Sequence, residues 1–125
     1  MTLAFEHFDE NECRLFAGAV ELAGRRWSPG ILVALARGAQ RFSEIRSAVP
    51  GLSDRMLTQR LKELIGHGVV ERAVLPSTPV QVHYSLTAQG AELLGALQPL
   101  VGWGRRWGER REHAINAGAT QRASR

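Results

Sequence analysis

Residues 52–68, LSDRMLTQRLKELIGHG, constrain this chain more than any other stretch. Leu57, Leu61, Leu64 and Ile65 recur at helical spacing and make one apolar stripe. Ser53 suits the N-cap, because its hydroxyl can accept from a free N–H of the first turn. Asp54 follows at the positive end of the helix dipole. Gly66 and Gly68 end the helix, with Gly68 the better left-handed residue. On a helical wheel Arg55, Gln59 and Lys62 lie opposite Leu57, and Thr58 and Arg60 flank that face. Such a face suits duplex DNA, because cations neutralise phosphates while Gln, Thr and Arg can bond base edges. It also suits a solvated surface helix, so the segment alone leaves both readings open.

The neighbouring residues narrow the choice. Residues 13–22 read as a helix with a broad apolar face of Leu15, Phe16, Ala19, Val20 and Ala23, ended by Gly24. A second helix is expected from a Ser28 cap with Pro29 at the first helical position, and it ends at Gly38. Trp27 is expected as a buried anchor at that junction. A short third helix, capped by Ser43, turns Phe42, Ile45 and Val49 inward before the turn at Pro50 and Gly51. Helix, tight turn and a second helix with a polar outer face make a helix-turn-helix.

After Gly68 the period changes to two. Residues 69–75 and 80–86 read as the strands of a β-hairpin with a proline-bound loop between them. Arg72, Gln81 and His83 are its candidate phosphate contacts. Thr87 caps a last long helix whose apolar face includes Leu97, Leu100, Trp103 and Trp107, and Pro99 is expected to kink or divide it. The expected organisation is an arm at 1–12, a domain at 13–113 and a disordered tail at 114–125. The fold class is mainly α with a small β-hairpin, a winged helix-turn-helix whose terminal helices form a dimer interface.

Composition supports an anionic partner. The formal charge is +4 and the isoelectric point about 10.5. Cys13 is the only cysteine, so no intrachain disulfide is available. The N-terminus lacks the basic region of a signal peptide and no apolar run is long enough to span a bilayer, so a cytoplasmic protein is expected. His7, His67, His83 and His113 lack metal-ligand spacing, and no nucleophile, nucleotide-binding or metal motif is present. No enzyme, cofactor or metal site is expected.

The chain resembles the HxlR-type family of bacterial winged-helix transcription regulators. The resemblance rests on Trp27, Arg41-Phe42-Ser43-Glu44-Ile45, Pro50-Gly51-Leu52-Ser53, Leu57-Thr58-Gln59-Arg60-Leu61, Tyr84-Ser85-Leu86-Thr87 with Gly90, and Trp103-Gly104. It covers roughly residues 14–108 and implies a homodimer, built on the terminal helices, that binds a pseudo-palindromic operator. The candidate DNA contacts are then Arg41, Ser43, Ser53, Arg55, Thr58, Gln59, Arg60, Lys62, Arg72, Gln81 and His83. An alternative is an effector-binding module, with Leu15, Phe16, Leu97, Leu100, Trp103 and Trp107 forming an aromatic pocket at the dimer interface. A further alternative is a thiol-based sensor of oxidants or electrophiles. The family's sensing cysteine would fall on Arg14, one residue beyond Cys13, and the proline that often follows it is absent.

Overall fold

The computed structural model describes residues 9–123, so Phe5, Phe8 and most of the expected arm lie outside the described residues. The chain divides into two compact units, the first ending at Ala91 and the second starting at Glu92.

In the first unit α1 (Glu10–Gly24) begins three residues ahead of the expected start. The cause is a capping box: the Asp9 carboxylate accepts from the Glu12 N–H at 2.8 Å, and the Glu12 carboxylate accepts from the Asp9 N–H at 3.4 Å. α2 (Ser28–Ala36) is not capped by Ser28, which lies inside the helix and is buried. Its N-cap is Trp27, left-handed at φ 77°. This conformation, uncommon for a bulky residue, turns the chain from α1 into α2 within three residues. Trp27 is half-buried, with the Arg26 guanidinium 4.9 Å from its ring centroid. Gly51, beside Pro50 and further along the chain, has φ 86°, and a Cβ there would touch the same indole at 3.4 Å.

α3 (Phe42–Ala48) is likewise not capped by Ser43, which sits exposed in its first turn. Arg41 is the cap residue, and its N–H donates to the Glu44 carboxylate at 3.0 Å. α4 (Asp54–Gly66) starts as expected: the Ser53 hydroxyl accepts from the Met56 N–H at 3.1 Å. Past its end Gly68 takes φ 76°.

β1 (Val70–Leu75) pairs antiparallel with β2 (Gln81–Leu86), in register from Val70↔Leu86 to Leu75↔Gln81. The outer edge of β2 is anchored where the Tyr84 N–H donates to the Gln40 carbonyl at 2.8 Å. The Thr87 hydroxyl accepts from the Gly90 N–H at 3.0 Å and donates to the Gly68 carbonyl at 2.5 Å. One side chain therefore caps the next helix and fixes the entry to the hairpin.

The core of this unit gathers Ile31, Leu32, Ile45, Leu57, Leu64 and Val69, each at most 1% exposed. Each such side chain contributes about 1.5–3 kcal/mol of burial free energy. The core is what fixes α4 against α2, α3 and β1.

α5 (Ala88–Ala123) is one continuous helix. Pro99 does not divide it. A proline removes a single bond, here to the carbonyl four residues earlier, and Gly95 at that position is exposed to water. The helix also continues past Ala114, so residues 114–123 are helical where a disordered tail was expected.

Candidate nucleic-acid interface

α4 buries Leu57, Leu61 and Leu64 and thereby turns Arg55, Thr58, Gln59 and Lys62 to solvent. The side chains of Arg55, Gln59 and Lys62 make no hydrogen bond or ion pair among the described residues. The Thr58 hydroxyl donates to the Asp54 carbonyl at 2.8 Å, which leaves it lone pairs and a methyl group for an external partner. The Ser53 hydroxyl is occupied as the cap acceptor and keeps its own hydrogen.

Arg60 departs from the expectation. It is only 6% exposed, its Nε donates to the Arg26 carbonyl at 2.9 Å, and its Nη1 lies 3.2 Å from Glu63. It ties α4 to the turn between α1 and α2, away from the exposed face of the helix. The wheel explains why: three residues after Leu57 is about 60° short of a full turn, closer to the apolar stripe than to the polar face.

Ion pairing shapes the charge of this surface. Asp54 receives Arg46 Nη1 at 2.7 Å, and Glu63 lies between Arg60 and Arg25, the latter at 3.6 Å. Both acids of α4 are thus matched by cations from other positions, while Arg55 and Lys62 remain uncompensated. Neither Arg25 nor Arg46 was expected to matter. Positions 25 and 63, or 46 and 54, carry no spacing signal, because the pairings form only when the helices pack.

The hairpin candidates do not share a face. Register places Arg72 opposite Tyr84, whereas His83 faces Ala73 and Gln81 faces Leu75. Side chains alternate along a strand, so Arg72 lies on one face of the sheet and Gln81 and His83 on the other. Arg41 joins the second pair, its Nη2 donating to Gln81 Oε1 at 3.0 Å. His83 Nε2 lies 3.2 Å from the same oxygen.

The candidate dimer or effector residues fall on separate units. Leu15 and Phe16 on α1 are 62% and 64% exposed. In the second unit an arginine lies over each indole, Arg111 5.3 Å from the Trp103 ring and Arg110 5.7 Å from that of Trp107. An open cleft of about 600 Å³ in the first unit lies between α2 and α3, lined by Pro29, Gly30, Val33, Arg37, Glu44 and Ala48 among others, with no aromatic side chain. Cys13 is exposed on the first turn of α1. The guanidinium of Arg14 beside it donates instead to Asn11 Oδ1 at 2.7 Å.

The family profile described as HxlR-like helix-turn-helix matches residues 22–112, most of the chain. The chain belongs to this family. The chain is 46% identical over 95 residues to the HTH-type transcriptional regulator YvaP of Bacillus subtilis (strain 168), covering 76% of this chain and 88% of that one. The reduced form of the transcriptional regulator YodB from B. subtilis superposes with a TM-score of 0.68 at 38% identity, covering 80% of this chain and 94% of that one. The redox regulator HypR in its oxidised form gives 0.67 at 32% identity, over 74% and 95%. The protein is therefore a helix-turn-helix transcription regulator of the HxlR type, and its hairpin is the wing of a winged helix. Its matched relatives are named as transcription regulators rather than enzymes.

Proposed function

We propose that this HxlR-type regulator binds a pseudo-palindromic operator as a homodimer and reads it with α4 in the major groove. One observation carries the reading: the outer face of α4 presents Arg55, Gln59 and Lys62 without internal partners, while its two acids are held in ion pairs. Gln59 offers the paired donor and acceptor that match adenine, Arg55 suits guanine or phosphate, and Lys62 suits phosphate. Thr58 flanks this face on the helix, and the exposed Ser43 and Ser53 are further candidate contacts. Arg60, buried and bonded inside the unit, is left out of this reading.

The dimer is supported by α1, whose Leu15, Phe16 and Val20 are 62%, 64% and 52% exposed, and by Leu100 and Val101 of α5 at 61% and 55%. Exposed apolar surface of this kind marks an interaction site. Two copies related by a two-fold axis would present two α4 helices to two half-sites. No described helix is long and apolar enough to cross a membrane, and we place the protein in the cytoplasm with its DNA.

The deciding experiment is footprinting on the intergenic DNA upstream of the chain's own reading frame. A protected site with two-fold symmetry is the expected result. A protein that binds every duplex equally would defeat the reading.

A thiol sensor is the second reading, favoured by the exposed Cys13 and by the likeness to the redox regulator HypR. A small-molecule effector is the other candidate signal, with Phe16, Trp103 and Trp107 as its first residues to test.

A further inference from the structure

We propose that Arg41, Gln81 and His83 form a single phosphate clamp in which Gln81 is the positioning residue. The inference rests on the operator-binding reading and deepens it, by joining three candidates into one site with assigned donors.

The bonding fixes the chemistry. Arginine only donates, so the Gln81 atom facing Arg41 Nη2 at 3.0 Å is its carbonyl oxygen. His83 Nε2, 3.2 Å from that oxygen, must then be the nitrogen that carries the hydrogen. One amide oxygen thus gathers the donors of two side chains, Arg41 ahead of α3 and His83 on the wing, the first of them 40 positions from Gln81. The Gln81 amide nitrogen is on the other branch of the group and keeps both hydrogens. The remaining donors of Arg41 are also unused among the described residues.

The charge is left open as well. The ion pairs among the described residues join Arg25, Arg46 and Arg60 to carboxylates, and none involves Arg41. Glu44, the acid nearest to it in sequence, is held by the Arg41 backbone N–H at 3.0 Å instead. Glu71, on the same sheet face as His83, is engaged by the Ser85 hydroxyl at 3.3 Å. What remains is a partly exposed guanidinium, aimed by a neutral oxygen, with amide N–H groups beside it. A phosphodiester oxygen is the ligand that this set fits: an acceptor that takes a forked cation and accessory donors. Aiming Arg41 through a neutral amide orients the charge without cancelling it, which a carboxylate at position 81 would do.

The test uses the full chain and a duplex carrying the footprinted upstream site. Arg41→Ala and Gln81→Ala are each expected to weaken binding about five- to tenfold, and Arg41→Ala to reduce the salt slope by about one unit per clamp. The double variant should lose less than the sum of the two single losses, because Gln81 aims Arg41 and both hold one phosphate. Neutral methylphosphonate linkages placed singly along the duplex supply the readout that mere structural damage would not move. Wild type should show one sensitive linkage per half-site that loses its effect in both variants, and urea unfolding checks that both are folded at the assay temperature. Additive losses, or a Gln81→Ala protein with the same sensitive linkage and full affinity, would overturn the clamp. If Gln81→Ala does not fold, Arg41→Gln replaces it, and retention of the sensitive linkage there also overturns the clamp. A wild type that binds no duplex would sink the operator reading itself, whereas normal binding with an insensitive Arg41 sinks only the clamp.

Discussion

Arg60 and the carbonyl of Arg26 are joined by a 2.9 Å hydrogen bond across 34 positions of sequence. The bond closes the turn between α1 and α2 onto the inner side of α4. With Glu63 at 3.2 Å on the same guanidinium, it holds α4 against that turn.

Arg60→Ala is expected to destabilise the fold by about 2–4 kcal/mol, since it leaves a carbonyl and a carboxylate without their buried partner. Urea unfolding should show the loss as a lower midpoint. Lysine would not rescue it, because one ammonium lacks the fork that reaches both acceptors. A stable Arg60→Ala protein with altered sequence preference would instead make Arg60 a reader.

On the outer face, Gln59→Ala should lower discrimination by about 1–3 kcal/mol at one base step. Lys62→Ala should weaken all duplexes alike and reduce the salt slope by about one unit. Competition titrations with single-base operator variants separate the two. If both proteins bind like wild type, α4 is not the reading helix.

Gly90→Ala should cost about 1–3 kcal/mol. A Cβ at Gly90 would collide with the Val69 carbonyl oxygen and press on Leu86 Cδ2 at 3.2 Å. Backbone cannot step aside as a flexible side chain can, and the same carbonyl already accepts from the Thr87 N–H at 3.1 Å. Thermal unfolding is the measurement, and an unchanged midpoint would show that the first turn of α5 can move away from β1.

Sedimentation at micromolar concentration should give a dimer. Trp103→Asp should shift it toward monomer and weaken operator binding in parallel, because a rigid dimer gains avidity from two half-sites. A monomer that binds the operator at full affinity would remove the terminal helices from the mechanism.

Cys13→Ser should bind operator like wild type, and diamide should change wild-type affinity by less than about tenfold, or 1.4 kcal/mol. Cys13 is out of register with the family's sensing position, and Arg14 is turned to Asn11 at 2.7 Å. Non-reducing electrophoresis showing a chain-to-chain disulfide, together with a large loss of affinity, would make the protein a thiol sensor.

The sequence by itself determined the order of elements, the Ser53 and Thr87 caps, the stripe that turns Leu57, Leu61 and Leu64 inward, and the strand alternation. All of these are set by neighbours a few residues away, through helical or strand periodicity and local hydrogen bonding. It misplaced the caps of α2 and α3 by one or two residues. Ser28 looked like a cap on residue type alone, whereas packing drew it inside and left Trp27 in the left-handed turn. Tertiary structure alone decided the fate of the charged residues. Arg60 and Arg55 are both arginines on one helix, yet the first is 6% exposed and the second lies in solvent. The wheel sets Arg60 nearer the apolar stripe, but its partner, a carbonyl brought from residue 26, is supplied only by packing. The same holds for Arg41 meeting Gln81, and for Arg72 falling on the opposite face from His83. A long side chain takes whichever partner folding brings within reach, and a hydrogen bond between distant residues has no periodicity to read.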